Sequence, residues 1–293
     1  MSDEIKDLYE RLESTHLKEP MDDQMKLIKQ LIKRADALVI VTGAGMGVDS
    51  GLGTFRGEKA YKWADGGNMD YIDLCDPTLF DVDSKMAWNF WLDMKRNFEA
   101  HKPHQGYHIL KELASEKIHG AFIYSTNIDG YWDGIMPADR IVEIHGSTKY
   151  LQCLNPTRQR GECYESVWEW KDEIGVIPVC IHCKGPARPC VLMFHDRQYV
   201  ERRTIQQQNK YEEWIRQIKN SKSETVVIEI GSGTDIMTGR DESSYLTRIL
   251  GATVIRVNPE NNIIGNPHVG ISMGALEFLS RLTSKYDNST ISS

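Results

Sequence analysis

Three polar side chains in the middle of the chain have residue types suited to acid–base chemistry on a bound ligand. Asn127 and Asp129 follow the apolar run AFIYS at 121–125, and their two-residue spacing puts both side chains on one face of the chain. His145 follows, and an imidazole with an ordinary pKa of ~6.5 suits a general base near neutral pH. Asn and Asp also favour turns, and an isolated histidine is more often structural. The neighbouring motifs therefore decide between a reacting centre and plain turns.

A glycine-rich segment near the N-terminus is suited to holding a phosphate-bearing ligand. It reads TGAGMGVDSGLGTFRG from Thr42 to Gly57 and follows the apolar run ALVIV at 37–41. Glycines directly after a buried strand let the backbone turn tightly and approach a pyrophosphate, whose charge the next helix N-terminus stabilises. The spacing departs from G-x-G-x-x-G because Val48 stands at the third glycine position, and the segment lacks G-K-[ST]. A dehydrogenase fingerprint and a nucleoside-triphosphate loop are therefore both disfavoured.

The glycine-rich segment and the residues around Asn127 and His145 resemble the signature motifs of the sirtuin family. The stretch GAGMGVDSGLGTFRG is similar to G-A-G-[IM]-S-x-x-S-G-[IL]-P-D-F-R, STNIDG to T-Q-N-I-D-G, and IHGS to L-H-G-S. Three further elements follow in the family's order, namely ARPCVLMF at 187–194, GSGT at 231–234 and VNPE at 257–260. The resemblance runs from about residue 25 to residue 280 and is to bacterial-type members in particular.

This resemblance implies an enzyme that uses NAD as co-substrate and breaks its nicotinamide–ribose bond. Asn127 and Asp129 match the positions that order the nicotinamide ribose and hold the carboxamide, and His145 matches the general base. These three are the predicted catalytic residues. The positions predicted to bind NAD are Gly43, Ala44, Gly45, Phe55, Arg56, Thr126, Asn127, Asp129, Gly231, Ser232, Asn258 and Glu260.

The activity that the resemblance implies is protein-lysine deacylation, which releases nicotinamide and O-acyl-ADP-ribose and takes an acyl-lysine protein or peptide as partner. Three positions depart from the family pattern: Gly53-Thr54 replaces Pro-Asp, Thr126 replaces a glutamine, and His195 replaces the glycine of the F-G-E substrate element. They leave a protein mono-ADP-ribosyltransferase or an NAD glycohydrolase using the same site open as alternatives. A non-enzymatic NAD-sensing module is a third, although a pure binder has no need of a base at His145.

A cluster of cysteines predicts a structural zinc site. Cys180 and Cys183 form a C-x2-C knuckle, and Cys153 stands where the family's first zinc ligand falls. Cys163 would be the fourth ligand, although its spacing from Cys153 is longer than usual. Four thiolates make a closed tetrahedral Zn²⁺ site, which would staple a small module that lacks a core of its own. Free core cysteines are the alternative, and His182 could replace Cys163 as a ligand.

Hydrophobic periodicity predicts the elements that must position these residues. Short apolar runs predict strands buried on both faces, at 37–41, 121–125, 225–230 and 252–257. Amphipathic patterns predict helices between them, at 21–35, 104–115 and 242–250. Alternating strands and helices favour an α/β fold, a Rossmann-like doubly wound parallel sheet with a small inserted domain of zinc-ribbon and helical parts.

The interruptions of this pattern predict the domain boundaries. The segment 58–102 is rich in aromatic residues at helical spacing, and 151–190 holds most of the cysteines. The predicted divisions are 1–57, 103–150 and 191–285 for the NAD-binding domain, 58–102 and 151–190 for the helical and zinc-binding parts of the small domain, and 286–293 for a disordered tail.

Composition disfavours two classes of partner. The net charge is −7, and acids and bases are interspersed, so no basic stripe offers the footprint that nucleic acid needs. No run of 18 apolar residues predicts a membrane span, and the first residues are polar and acidic, unlike a signal peptide. We therefore expect a cytoplasmic protein that binds neither nucleic acid nor membrane; its oligomeric state stays open.

Overall fold

The computed structural model describes most of the chain. The described residues are 21–54, 63, 69–156, 158–171 and 176–283. Phe55, Arg56 and the tail 286–293 lie outside them.

The helices in the described part of the chain are α1 (Met21–Arg34), α2 (Tyr71–Leu74), α3 (Leu79–Val82), α4 (Ser84–Ala100), α5 (Gln105–Ser115), α6 (Arg202–Ser221), α7 (Thr238–Leu250) and α8 (Ala275–Thr283). The strands are β1 (Ala37–Thr42), β2 (Ala121–Ser125), β3 (Ile141–Glu143), β4 (Gly146–Cys153), β5 (Val167–Glu169), β6 (Ala187–Val191), β7 (Thr225–Ile230), β8 (Thr253–Val257) and β9 (Val269–Ile271).

Six of the described strands form one parallel sheet in the order β3-β2-β1-β7-β8-β9. In its centre, Leu38 of β1 lies opposite Ala121 of β2 on one side and Val226 of β7 on the other. The chain order runs outward from β1 in one direction and outward from β7 in the other. The sheet therefore changes direction between β1 and β7, and open α/β sheets bind ligands at the carboxyl ends of the strands at such a point.

Helices cover both faces of this sheet, as the unbroken apolar runs require. Leu38 and Ile40 of β1 pack in a buried cluster with residues of α1, α5 and α8. Val39 and Val41 point to the opposite face, where they pack with residues of α6 and α7. Because neighbouring strand residues face opposite layers, every position of β1 is buried. The predicted Rossmann-like doubly wound sheet is confirmed.

A second, antiparallel sheet has the order β5-β4-β6 and carries the cysteine-rich segment. Leu151 of β4 lies opposite Trp168 of β5 and Pro189 of β6. Beside it, α4 buries three aromatic residues, Trp88, Phe90 and Trp91, in a cluster that also contains Ile128. The helical part and the cysteine-rich part of the predicted small domain thus pack close to the predicted reacting centre. The exact domain boundaries stay a prediction.

Most predicted elements lie within one or two residues of their observed bounds. The exception is the helix predicted at 242–250, which begins four residues earlier, at Thr238, whereas the strand predicted from residue 252 begins at Thr253. The helix that the pattern 83–98 indicates begins after Asp83, whose side chain accepts a hydrogen bond from the Met86 N–H at 2.9 Å. In the part of the chain that the structure describes, no helix is both long and apolar enough to cross a membrane.

Candidate functional site

The glycine loop, residues 43–51, packs main chain to main chain against the end of β7. Gly43 N–H donates to the Ile230 carbonyl at 2.9 Å, and Gly45 N–H donates to the Gly231 carbonyl at 3.1 Å. A Cβ on Gly45 would lie 2.7 Å from Gly231 Cα, and one on Gly43 would lie 2.6 Å from the Gly231 carbonyl oxygen. Gly231 itself has a φ of +68°, which favours glycine. The carboxyl ends of β1 and β7 therefore meet through glycines. A side chain at these positions would force the two strand ends apart.

Asn127 joins the end of β2 to this glycine loop. Its Nδ2 donates to the Gly43 carbonyl at 3.0 Å, and its backbone N–H donates to Ser125 Oγ at 3.2 Å. Its Oδ1 is buried and has no hydrogen-bond partner among the residues that the structure describes. An unpaired buried polar atom costs about 1–3 kcal/mol, so this oxygen is suited to accept a hydrogen bond from a ligand.

Asp129 is buried two residues further along. Its Oδ1 accepts a hydrogen bond from the Tyr131 N–H at 2.8 Å, so the carboxyl group also closes a turn. Burial raises the pKa of Asp129 to about 7, although the Tyr131 hydrogen bond acts in the opposite direction. The predicted side chains of Asn127 and Asp129 thus lie at the same sheet edge, and the acid changes its protonation state near neutral pH.

His145 lies beside them, with a defined tautomer. Its Nδ1 lies 3.0 Å from the Thr126 carbonyl oxygen, which can only accept, so Nδ1 carries the proton. In the neutral ring this leaves the lone pair on Nε2. Burial lowers the pKa of His145, outweighing the Thr126 hydrogen bond. The ring is therefore neutral, and able to take up a proton, at neutral pH.

The residues next to His145 hold its backbone in place. The Leu192 N–H donates to the His145 carbonyl at 2.9 Å. Gly146 has a φ of +76°, and a Cβ there would lie 2.2 Å from the Cys190 carbonyl oxygen. The glycine after the histidine is therefore required by close packing of β4 on β6.

Thr126 connects the predicted reacting centre to β1. Its N–H and its Oγ1 both donate to the Thr42 carbonyl, at 2.9 and 3.1 Å, while its own carbonyl accepts from His145. The Thr42 hydroxyl in turn donates to Ser125 Oγ at 3.2 Å and accepts from Trp132 Nε1 at 3.3 Å. Thr126 thus fixes the position of His145 relative to β1. The predicted contact of Thr126 with NAD stays a prediction.

The residues predicted for the far side of the cofactor also lie together. The Ser232 carbonyl accepts from Asn258 Nδ2 at 3.1 Å and from the Arg240 guanidinium at 3.0 Å. Ser232 Oγ is buried and unpaired within the described part of the chain. Asn258 Oδ1 accepts from the Glu260 N–H at 3.0 Å, whereas the Glu260 residue itself is exposed. No sequence pattern predicted a role for Arg240, because its contacts depend on the packing of α7 over Ser232.

These features fit a dinucleotide. Asn127, whose Oδ1 is unpaired, bonds the glycine loop that follows β1, and Ser232, whose Oγ is unpaired, follows Gly231 at the end of β7. Both therefore stand at the carboxyl ends of the strands, where open α/β sheets bind such ligands. Ala44 and Gly45 are half-buried in the short turn Ala44–Met46 that follows β1. Phe55 and Arg56 lie outside the described residues, so their predicted contacts stay predictions.

The four predicted zinc ligands come together in space. The sulfur atoms of Cys153, Cys163, Cys180 and Cys183 all lie within 4.8 Å of one another. The distances from Cys153 to Cys183 and from Cys163 to Cys180 are 3.8 and 3.6 Å. Tetrahedral Zn²⁺ with sulfur bonds of ~2.3 Å separates its ligands by about 3.8 Å. The cluster therefore suits Zn²⁺ in donor type and in spacing.

His182 is occupied by other partners and does not join the four thiols. Its Nδ1 lies 2.7 Å from a Glu162 carboxylate oxygen, and its Nε2 lies 2.7 Å from Ser166 Oγ. Glu162 precedes Cys163 and His182 precedes Cys183, so this contact links the two halves of the cluster.

His195, the departure from the family's substrate element, has a left-handed backbone with a φ of +57°. Its Nδ1 lies 3.0 Å from an Asp76 carboxylate oxygen, and its side chain is 77% exposed. The neighbouring Phe194 N–H donates to the Cys75 carbonyl at 2.9 Å. The segment that includes His195 is therefore fixed to the residues between α2 and α3.

Comparison with known proteins agrees with the fold and with the motifs. A family model described as "Sir2 family" matches residues 43–233, and the chain therefore belongs to the Sir2, or sirtuin, family. The resemblance noted in the sequence is confirmed.

Curated relatives span most of the chain. An "NAD-dependent protein deacylase" of Aquifex aeolicus is 27% identical over 229 residues, covering 78% of this chain and 85% of the relative. A protein of the same name from Aeropyrum pernix is 29% identical over 250 residues, covering 84% and 90%.

Solved structures support the fold. A Sir2 homologue in complex with NAD superimposes with a TM-score of 0.68 at 19% identity, covering 92% of this chain and 94% of that one. A Sir2 complex with a p53 peptide and NAD⁺ gives a TM-score of 0.66 at 20% identity, covering 88% and 96%. At these identities the likeness concerns the fold alone.

Proposed function

We propose that the protein is an NAD-dependent protein-lysine deacylase that releases nicotinamide and O-acyl-ADP-ribose. The observation that carries this proposal is the hydrogen bond from His145 Nδ1 to the Thr126 carbonyl, because it leaves Nε2 as a base and ties the ring to the residue before Asn127, whose Oδ1 is unpaired. A protein that only sensed NAD would have no need of a base with a fixed tautomer. The deacylase names of the curated relatives support the same activity.

When bound, NAD supplies the ADP-ribosyl group that accepts the acyl chain as nicotinamide leaves. Asn127 Oδ1 would accept a hydrogen bond from a ribose hydroxyl, and Asp129 would order the nicotinamide end. His145 Nε2 would take a proton from a ribose hydroxyl, as a general base with a pKa below its ordinary value can do at neutral pH. Gly43, Gly45, Gly231 and Ser232 would hold the pyrophosphate and ribose, and Asn258 with Glu260 the adenosine side.

The cysteine cluster serves a structural purpose in this proposal. Cys153, Cys163, Cys180 and Cys183 would hold Zn²⁺ in a closed site, with no position for a water ligand. The ion would tie the end of β4 and the turn that precedes β6 to the segment around Cys163. Because β4 begins directly after His145, the zinc site would stabilise the strand that leaves the reacting centre.

The partner in this proposal is a protein or peptide with an acylated lysine. The substrate would lie beside the segment of Phe194 and His195, which the family resemblance assigns to substrate pairing. The exposed His195 ring would meet residues that flank the acylated lysine.

Product analysis tests this function. The protein is incubated with labelled NAD and with peptides that carry acetyl-lysine or longer acyl-lysines, and all products are identified by mass spectrometry. We expect O-acyl-ADP-ribose, nicotinamide and deacylated peptide in equal amounts. ADP-ribose attached to protein would instead identify a mono-ADP-ribosyltransferase, free ADP-ribose without deacylation a glycohydrolase, and unchanged NAD would contradict any enzymatic role.

A further inference from the structure

We infer that His104 is a positioning residue for NAD binding, which it supports by holding the glycine loop against α5. This inference rests on the proposed function, because it takes residues 43–51 to be part of the NAD site. His104 is the N-cap of α5 and is far from this loop in the sequence, yet it bonds the loop at two points.

The buried His104 uses both ring nitrogens and its backbone. Its backbone N–H donates to Ser50 Oγ at 2.9 Å, and its Nε2 donates to the Met46 carbonyl at 2.9 Å. Its Nδ1 accepts from the Gly106 N–H at 3.0 Å, as an N-cap side chain does. One donor and one acceptor on the ring require the neutral form with the proton on Nε2. Burial lowers the pKa of His104, which agrees with a neutral ring.

A short chain of hydrogen bonds connects His104 to the reacting centre. The Met46 carbonyl accepts from His104, and the Met46 N–H donates to the Gly43 carbonyl at 2.9 Å. That same Gly43 carbonyl accepts from Asn127 Nδ2 at 3.0 Å. The turn Ala44–Met46 is therefore held at one end by Asn127 and at the other by His104. Without the His104 hydrogen bond, the turn would keep its contact with Asn127 but lose its fixed orientation.

The surroundings of His104 are shaped to its ring. A Cβ on Gly106 would lie 2.5 Å from His104 Cε1, so a glycine in the first turn of α5 makes space for the ring. The Tyr107 ring packs edge-on at 5.1 Å between centroids. Asp49, the charged residue of the loop that acts on His104, accepts from the Leu276 N–H of α8 at 2.7 Å. The loop is thus fastened to α5 and α8 together.

The substitution His104→Asn separates the two roles of this residue. An asparagine keeps an oxygen that can cap the Gly106 N–H, so α5 retains its start. Its side chain ends short of the position of Nε2, so the buried Met46 carbonyl loses its donor. His104→Ser, which is also a good N-cap but is shorter, serves as a second variant. His108→Asn is the matched control, because His108 is exposed on the same helix.

Calorimetric titration with ADP-ribose and steady-state kinetics measure the effect. We expect His104→Asn and His104→Ser to bind ADP-ribose about tenfold more weakly than wild type, as loss of one buried hydrogen bond implies. KM for NAD should rise by the same factor, while kcat at saturating NAD and KM for the acyl-lysine peptide stay within about threefold, because His145 and Thr126 keep their contact. His108→Asn should bind ADP-ribose like wild type.

The outcomes distinguish this inference from the proposed function. If wild type binds neither ADP-ribose nor NAD, the proposed function is wrong. If wild type binds but a folded His104 variant binds with the same affinity, the inference about His104 is wrong. A fall in kcat without a change in KM for NAD would also contradict it.

Discussion

His145 donates its Nδ1 proton to the carbonyl oxygen of Thr126 across 3.0 Å, and Thr126 is in turn held by the Thr42 carbonyl. The main chain directly after β2 thus sets the tautomer of the histidine, and β1 in turn holds that piece of main chain in place. The base is therefore positioned by the sheet itself rather than by a mobile side chain.

The first prediction concerns His145 as a base. His145→Asn keeps a donor near the Thr126 carbonyl but provides no titratable nitrogen, so kcat should fall by about 10²–10⁴-fold. The affinity for ADP-ribose, measured by calorimetry, should stay within about threefold. His108→Asn, the same substitution at an exposed position of α5, should leave kcat unchanged. Retention of more than a tenth of wild-type kcat in His145→Asn would refute the assignment.

The second prediction is the pH dependence of kcat/KM for NAD, which reports groups of the free enzyme. The active form of His145 is neutral, and burial lowers its pKa below 6.5. The limb of the profile that belongs to His145 should therefore have its midpoint below about 6.5, because the ring protonates there. Asp129, with a pKa of about 7, adds a second limb that Asp129→Asn should remove. A remaining acid limb with a midpoint above 7 in that variant would contradict the assignment to His145.

The third prediction concerns stability at Asp129. Its pKa is about 7 in the folded protein, above its ordinary value of 3.8, so its contribution to stability is full below pH 4 and is lost as the pH rises through 7. Asp129→Asn keeps an acceptor for the Tyr131 N–H but carries no charge. Its free energy of unfolding at pH 8 should exceed that of wild type by roughly 1–3 kcal/mol, with turnover reduced.

Urea unfolding at pH 5 and pH 8 checks the Asp129 prediction. The difference between variant and wild type should be larger at pH 8, because the buried carboxyl group is ionised in the folded protein only there. A difference that is equal at both pH values would show that the charge of Asp129 is not the cause.

The fourth prediction is zinc content. Elemental analysis should find about one zinc per chain in wild type, and Cys180→Ser should lose it together with thermal stability, since a structural zinc site contributes to folding. Cys75→Ser, at a buried cysteine away from the four thiols, should keep the metal. Full zinc occupancy in Cys180→Ser would rule out the four-cysteine site.

The fifth prediction concerns the contact between Gly45 and Gly231. Gly45→Ala would put a Cβ 2.7 Å from Gly231 Cα, so the ends of β1 and β7 must separate. Calorimetry should show at least tenfold weaker binding of ADP-ribose. Gly265→Ala is the control, because a Cβ there meets no described atom within 4 Å. Equal affinities of the two variants would mean that this contact does not shape the site.

Sequence patterns predicted the parts of the fold that local hydrophobicity determines. The central strands β1, β2 and β7 appear as apolar runs because both of their faces are covered. The three-residue strands β3 and β9 are too short for a periodic pattern, and they gain their pairing only from neighbours in the sheet. Such edge elements depend on tertiary contacts that no local pattern encodes.

The residues of the candidate site were likewise only partly predictable from the sequence. Family motifs indicated Asn127, Asp129 and His145, and the structure brings these residues to one region at the end of β2. Arg240 and His104 were not identified, because each acts through hydrogen bonds to main-chain carbonyls outside its own helix turn, Arg240 to Ser232 and Asn261 and His104 to Met46. Cys163 joins the cysteine cluster through the turns of Arg158–Tyr164, which its spacing in the sequence could not predict.

The central claim is that the acyl group leaves lysine and joins ADP-ribose in a reaction that needs His145. The most direct measurement follows nicotinamide, deacylated peptide and O-acyl-ADP-ribose together, by mass spectrometry, in wild type and His145→Asn. We predict that wild type forms the three products in a ratio of one to one to one, and that the variant forms almost no O-acyl-ADP-ribose. Release of nicotinamide by wild type while the acyl group stays on the peptide would contradict the claim.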